Sequence, residues 1–507
     1  MPGPPAARIE PLDEFNLRLL ENVHPPGWVN RAPKPRYHLV VIGAGTGGLV
    51  SAAVAAGLGA RVALVERHLT GGDCLNVGCV PSKGIIRAAR ARREAARARA
   101  DFGGPVAEGA GDFPAVMARM RRLRAGISRI DGAPRFRDLG VDVFLGTARF
   151  VGPGAAEVDG KLLRFRRAII ATGGRPAVPP IPGLADAGFL TNETVFELTE
   201  LPRRFVVIGG GPIGCELAQA FARFGSTVTL VERGPRLLPR DDPDAAAIVE
   251  RAMTGDGVAI LRSAAVRRVE RDGPAGVVVV ERDGCEARVE ADAILVAAGR
   301  APNVEGLGLE AAGVGYGEGG VVVDDRLRTS NPRVFAVGDV SSCLRFTHNS
   351  DFQARIAIQN ALFFGRARAS RLVMPWCTYT SPEVAHVGLS ERDAREAGYA
   401  VETLTVPLAE VDRAVLDGET EGFFRVHLKR GTDRILGATL VAEHAGEMIG
   451  EIGVAIVNGV GLGGIGRAIH PYPTQAEVFR KAADTWRRRK LTAGVRGPLG
   501  LFFRVFG

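Results

Sequence analysis

The chain has 507 residues, 46% hydrophobic and 24% charged, an ordinary globular composition with room for about three domains. Six cysteines are too few for a secreted disulfide framework and point to a reducing, cytoplasmic setting, and no run of about 18 apolar residues is present to span a membrane. A net charge of +9 raises nucleic acid as a partner, but 65 basic residues are interleaved with 56 acidic ones and aromatics are only 6%, so solvated basic surface is the better account.

Residues 1–36 are Pro-rich and aperiodic, open without a signal-peptide pattern, and read as an N-terminal arm. Tyr37–Ile42 then has a buried-strand pattern and runs into Gly43-Ala44-Gly45-Thr46-Gly47-Gly48, a helical stretch, a second strand and Glu66. This is a dinucleotide-binding unit: Gly43, Gly45 and Gly48 permit a tight turn and close approach of backbone amides to a pyrophosphate, and Glu66 accepts a ribose hydroxyl. The unit recurs from Phe205, with Gly209, Gly211, Gly214 and Glu232. In both copies the acid lies 23 positions after the first glycine, from Gly43 to Glu66 and from Gly209 to Glu232. One such loop is weak evidence; two with matched spacing and strand–helix context are strong.

Between them lies Gly71-Gly72-Asp73-Cys74-Leu75-Asn76-Val77-Gly78-Cys79-Val80-Pro81-Ser82-Lys83. On an ideal helix Cys74 and Cys79 are about 7.5 Å apart along the axis, too far for a disulfide without distortion. Gly78 and Pro81 permit that distortion, and a strained disulfide is readily reduced. A helix N-terminus would stabilise the Cys79 thiolate. The plain alternative is two neighbouring free thiols.

Two strand-to-glycine exits follow, Ala168 to Gly173 and Ile294 to Gly299, and a late strand ends at Asp339. The pattern predicts a nucleotide domain over 37–185 and 300–370, interrupted by a second over 186–299. An interface domain over 371–486 and a basic tail over 487–507 complete it. The fold class expected is α/β: two Rossmann-like domains, one inserted in the other, plus a C-terminal α+β dimerisation domain.

These residues resemble the pyridine nucleotide–disulfide oxidoreductases, the flavoproteins that include dihydrolipoamide dehydrogenase, glutathione reductase and mercuric reductase. The wording GGDCLNVGCVPSK and HPYPTQAE is mercuric-reductase-like, and the resemblance runs from about Tyr37 to Trp486. It implies a homodimer in which the first loop and Glu66 hold the ADP half of FAD, with Ala148 by the adenine, Thr172 and Gly173 near the flavin nucleotide and Asp339 on the ribitol. Gly72 and Gly299 complete the cofactor-contacting glycines. Lys83 would lie near the isoalloxazine, paired with Glu216 unless Glu216 is only a first-turn acid on the helix dipole. Cys79 would face the flavin and Cys74 would exchange with the acceptor. The second loop would bind nicotinamide; Glu232 favours NADH, with NADPH left open by Arg233.

The pattern departs in two places. Where relatives carry His-Pro-Thr-x-x-Glu, delivered from the partner subunit, this chain reads His470-Pro471-Tyr472-Pro473-Thr474-Gln475-Ala476-Glu477. That puts Tyr472 in the base position beside Glu477, with His470 two residues upstream. Ionising a tyrosine at pH 7 costs about 4 kcal/mol, so it is a poor proton shuttle. The vicinal cysteines that end mercuric reductases and their Cys-x-x-Cys metal-binding domain also have no counterpart here. The acceptor expected is therefore a metal ion, quinone or small thiol compound. The rivals are a dihydrolipoamide-type reductase using His470, and a membrane-associated redox docking protein. Cys215, Cys285, Cys343 and Cys377 carry no motif, and no resident metal site is expected. The tail combines six basic residues with an apolar, phenylalanine-rich end; it would touch an anionic membrane or, with Gly497 and Pro498 breaking any long helix, remain solvated or dimer-packed.

Overall fold

The structure, a computed structural model, describes residues 8–105, 109, 111–272 and 275–506. The first seven residues of the expected arm and Gly507 of the tail lie outside them. The chain divides into two compact units: 1–95, 107–233 and 263–372 in one, and 96–106, 234–262 and 373–507 in the other.

The first unit is built on a sheet ordered Asp142–Leu145, Val62–Glu66, Tyr37–Ile42, Lys161–Ile170. The pairing is parallel throughout that run. Alternate residues enter opposite cores: Leu39 and Val41 pack on one face, Val40 and Ile42 on the other. Such a sheet, covered on both faces, is written as a continuous apolar run. Lys161–Ile170 serves two sheets. Its first half pairs antiparallel with Ala155–Val158, and its second half pairs parallel with Tyr37–Ile42. Val334–Ala336 returns after the intervening segment to pair with the same strand, so the first nucleotide fold is interrupted, as its pattern indicated. Within the interruption, Thr227–Val231, Arg204–Ile208 and Ala293–Val296 form parallel neighbours in that order. A three-stranded antiparallel meander over 265–291 accompanies them.

One expectation is corrected. The segment before Tyr37 is not aperiodic: Glu14–Val23 is a helix, N-capped by Asp13, whose side chain accepts from Asn16 N at 2.8 Å. Its Leu19, Leu20 and Val23 share a core with Leu69, Leu75 and Ala125. Residues 234–262 pack with the second unit. There Trp376 Nε1 donates to Asp241 at 2.9 Å, and Arg425 pairs with Asp242 at 3.1 Å and with Asp244.

The second unit is a five-stranded antiparallel sheet ordered Pro375–Thr378, Glu383–Gly388, Ile435–Ala442, Phe423–Lys429, Val401–Pro407. Helices Ala445–Val457 and Glu477–Arg489 bury Ile449, Ile452, Val478 and Phe479 in its core. A further correction concerns the tail: Ala493–Phe506 is helical through Pro498. Among the described residues no helix is long and apolar enough to cross a membrane.

Candidate active site

The two glycine loops have the same geometry, and the glycines divide the work. Gly43 has φ +99°, and a Cβ there would sit 2.3 Å from Ala171 O; one on Gly48 would sit 1.8 Å from Gly43 O. The second loop repeats this, with a Cβ on Gly209 2.5 Å from Ala297 O and one on Gly214 1.9 Å from Gly209 O. The first and third glycines are therefore required by the turn and by helix–strand contact. The middle ones are not: a Cβ on Gly45 would meet only Gly72 Cα at 3.7 Å, and one on Gly211 nothing within 4 Å. Both loops leave backbone open at the N-termini of helices Thr46–Gly57 and Pro212–Phe224, the cradle a pyrophosphate fills, so the residues fit a dinucleotide at each. Each acid braces its own loop. Glu66 accepts from Ala44 N at 2.7 Å and His68 N at 2.8 Å, and Glu232 accepts from Gly210 N at 2.6 Å. Burial raises the Glu66 carboxyl above its ordinary value against those bonds.

The cysteine segment abuts the first loop, since Gly72 (φ +57°) would place a Cβ 2.6 Å from Gly45 Cα. A helix over Gly72–Asn76 stops at Val77, and a new one, Cys79–Phe102, starts two residues later. The break is the distortion the spacing demanded. Cys74 and Cys79 are not bridged here. Cys79 is held below the ordinary thiol range, first by the hydrogen bond from Cys74, then by the Thr347 hydroxyl at 3.4 Å and the charge of Lys83; burial and Glu216 oppose. Cys74 is pushed up by donating to Cys79, by burial and by the charge beside it. One thiolate and one thiol result. The expected ion pair between Lys83 and Glu216 is formed, at 2.7 Å.

Beside the pair, Arg300 joins Asp73 to Asp339, the latter at 3.3 Å, and donates to Gly174 O at 2.9 Å. Burial raises Asp339, and Arg300 counters it. Thr172 Oγ1 donates to Asn303 O at 2.8 Å, and Gly173 takes φ +68°. Ala148 is buried in the core of the first sheet. Gly299 takes φ +126° and accepts from Ala177 N at 2.9 Å. Sequence reasoning missed the parts played by Thr347, Arg300 and Asn303. Only Arg300, directly after a glycine exit, carried a local signal.

Tyr472, His470 and Glu477 lie in the second unit. Tyr472 is 70% exposed, and its phenol donates to Asp412 at 2.9 Å, which raises its pKa above the ordinary value. Glu477, in the place of its expected partner, instead pairs with Arg480. The His470 side chain is 7% exposed, with Nε2 3.1 Å from Glu451 Oε1. Among the described residues no group of three or more His, Cys, Asp or Glu could hold a metal ion.

Residues 37–360 match the pyridine nucleotide-disulphide oxidoreductase model, and 374–483 match that family's dimerisation domain, which supports a homodimer. The chain is 38% identical over 460 residues to a mercuric reductase of Streptomyces lividans, covering 89% of this chain and 96% of that one. It is 35% identical over 471 residues to a dihydrolipoyl dehydrogenase of Thermus scotoductus, covering 90% and 98%. Among solved structures it is similar to the Cu(II) complex of the HOCl-induced flavoprotein disulfide reductase RclA from Escherichia coli, with TM-score 0.78, 30% identity and coverage of 87% and 98%. With two dinucleotide loops, a cysteine pair between them and a dimerisation domain, the chain belongs to the pyridine nucleotide-disulphide oxidoreductases, enzymes that use FAD and NAD(P)H.

Proposed function

We propose that the enzyme passes electrons from NADH to a soft acceptor, a metal ion, a quinone or the oxidised form of a small thiol compound, at Cys74 and Cys79. FAD, when bound, supplies the two-electron link between nicotinamide and the cysteine pair. Gly45 and Gly211 leave room for the two pyrophosphates, and Glu232 favours NADH because a carboxylate accepts free ribose hydroxyls and repels a 2′-phosphate. At the cysteines, the Cys79 thiolate and the Cys74 thiol give up two electrons and one proton as a disulfide forms, and the acceptor takes the electrons.

The observation that carries the acceptor class is Tyr472, which stands where relatives place a base. Its hydrogen bond to Asp412 makes it a weaker acid still. A phenol in that state donates a hydrogen bond but does not shuttle protons at neutral pH, which disfavours bulky dithiol–disulfide exchange. The test is an anaerobic NADH titration followed by acceptor screening. A long-wavelength thiolate–flavin band at two-electron reduction, with turnover of metal ions or quinones and little of dihydrolipoamide, supports the reading. Flavin bleaching without the band overturns it.

A second reading, a dihydrolipoamide-type reductase, is favoured by one observation: His470 has a carboxylate partner, Glu451. Under it, His470→Gln abolishes dihydrolipoamide turnover and Tyr472→Phe does not.

A further inference from the structure

The helix Ala493–Phe506 takes no part in the chemistry above, yet its composition is sharply divided. At 100° per residue, Val495, Leu499, Leu501, Phe502, Phe503, Val505 and Phe506 spread over about 200° of the helix surface, and Arg496, Arg504, Gly497 and Gly500 fill the remaining strip of about 100°. Every described side chain from Arg487 to Phe506 is exposed, including Phe503 at 67% and Phe506 at 76%. A contiguous exposed apolar face of this kind marks a contact surface. Pro498 does not end the helix. Gly497 before it has no Cβ, which removes part of the clash that normally keeps a pre-proline residue out of helix.

We propose that this helix lies flat on an anionic phospholipid surface, its phenylalanine face in the acyl boundary and its arginines among the phosphates. Charge decides the occupant. From Arg487 to Phe506 there are six basic residues and no acidic one. Arg487 is engaged by the carbonyls of Gly463 and Gly466, and Arg489 lies 3.7 Å from Glu402. Arg488 donates to the neutral Thr485 hydroxyl at 3.3 Å and Lys490 sits over the Trp486 ring, so their charges, with those of Arg496 and Arg504, are left to meet anionic headgroups. A second copy is a poorer occupant because pairing two such tails brings like charges together. The helix is about 21 Å long and carries two arginines, which suits lying in the interface rather than crossing it.

The test is cosedimentation of the full, FAD-loaded protein with vesicles of phosphatidylglycerol and phosphatidylcholine in equal parts, against phosphatidylcholine alone. The expected result is at least about tenfold stronger binding to the anionic vesicles, largely lost at about 0.5 M salt. Arg496→Gln with Arg504→Gln should weaken it by more than about tenfold, at about fivefold per charge. Phe502→Ser, Phe503→Ser and Phe506→Ser together should abolish it. All variants should keep NADH-dependent reduction of a soluble dye. Equal binding to both vesicle types, no binding, or binding that neither variant reduces overturns the proposal. So does a fall in oligomer mass by light scattering in the phenylalanine variant without vesicle binding in the parent, which would assign the face to a second copy.

Discussion

Lys83 and Glu216 touch each other yet act on Cys79 with opposite signs, the ammonium favouring the thiolate and the carboxylate opposing it. Because the Cys79 pKa is lowered, its thiolate is present from below the ordinary thiol range upward and is lost only as pH falls through that lowered value. Alkylation of the reduced enzyme against pH should therefore show a midpoint for Cys79 below the reference of about 8.5. Lys83→Met should move that midpoint up and Glu216→Gln should move it down; shifts of the same sign for both would refute the assignment. Thr347→Val should also move it up, since the valine cannot donate. The cysteine pair was legible because its spacing conflicts with helix geometry, and the conflict appears as the break at Val77 and Gly78. Thr347 was not, because 268 positions separate it from Cys79 and no local pattern encodes that meeting.

At the scale of elements, the glycine loops separate folding from binding. Gly214→Ala puts a methyl within 1.9 Å of a backbone carbonyl, so it should lower the melting temperature and yield little soluble enzyme. Gly211→Ala has nothing within 4 Å to meet, so it should fold normally and raise the KM for NADH by about tenfold or more. Equal loss of stability in both would mean the middle glycine serves the fold. The strands were legible because a sheet buried on both faces is written as an apolar run, as in Tyr37–Ile42. The helix Glu14–Val23 was hidden by the prolines at 11, 25 and 26, although Asp13 and the spacing of Asn16, Leu19, Leu20 and Val23 carried its signal. Arg124 fastens it, donating to Asn16 Oδ1 and to Asn76 O at 2.7 Å each, which ties the N-terminal helix to the cysteine segment. Leu19→Ala should cost about 2–5 kcal/mol in chemical denaturation. No local pattern announces how 234–262 packs, because that packing includes side-chain pairs such as Arg425 with Asp242, 183 positions apart.

At the scale of the whole molecule, one chain carries the cysteine pair in one unit and Tyr472 in the other, and the family's dimerisation domain supplies a partner. If Tyr472 serves the partner's cysteines, its role can be separated from the fold by complementation between subunits. Tyr472→Phe removes one donor and should cut turnover of the acceptor about tenfold while leaving reduction by NADH in the half-reaction unchanged. Cys79→Ser should abolish acceptor turnover. Mixing the two variant subunits equally makes half of the dimers hybrids, and each hybrid then holds one site with a native cysteine pair and a native tyrosine. Activity should recover to about a quarter of the parent, as two-fold symmetry requires of a shared site. If the tyrosine serves its own chain, both sites of every hybrid are defective and the mixture gains nothing. Replacing the tyrosine variant by His470→Gln in the same mixture asks which residue crosses the interface: recovery there, with Tyr472→Phe homodimers fully active, would give the shared proton carrier to the imidazole.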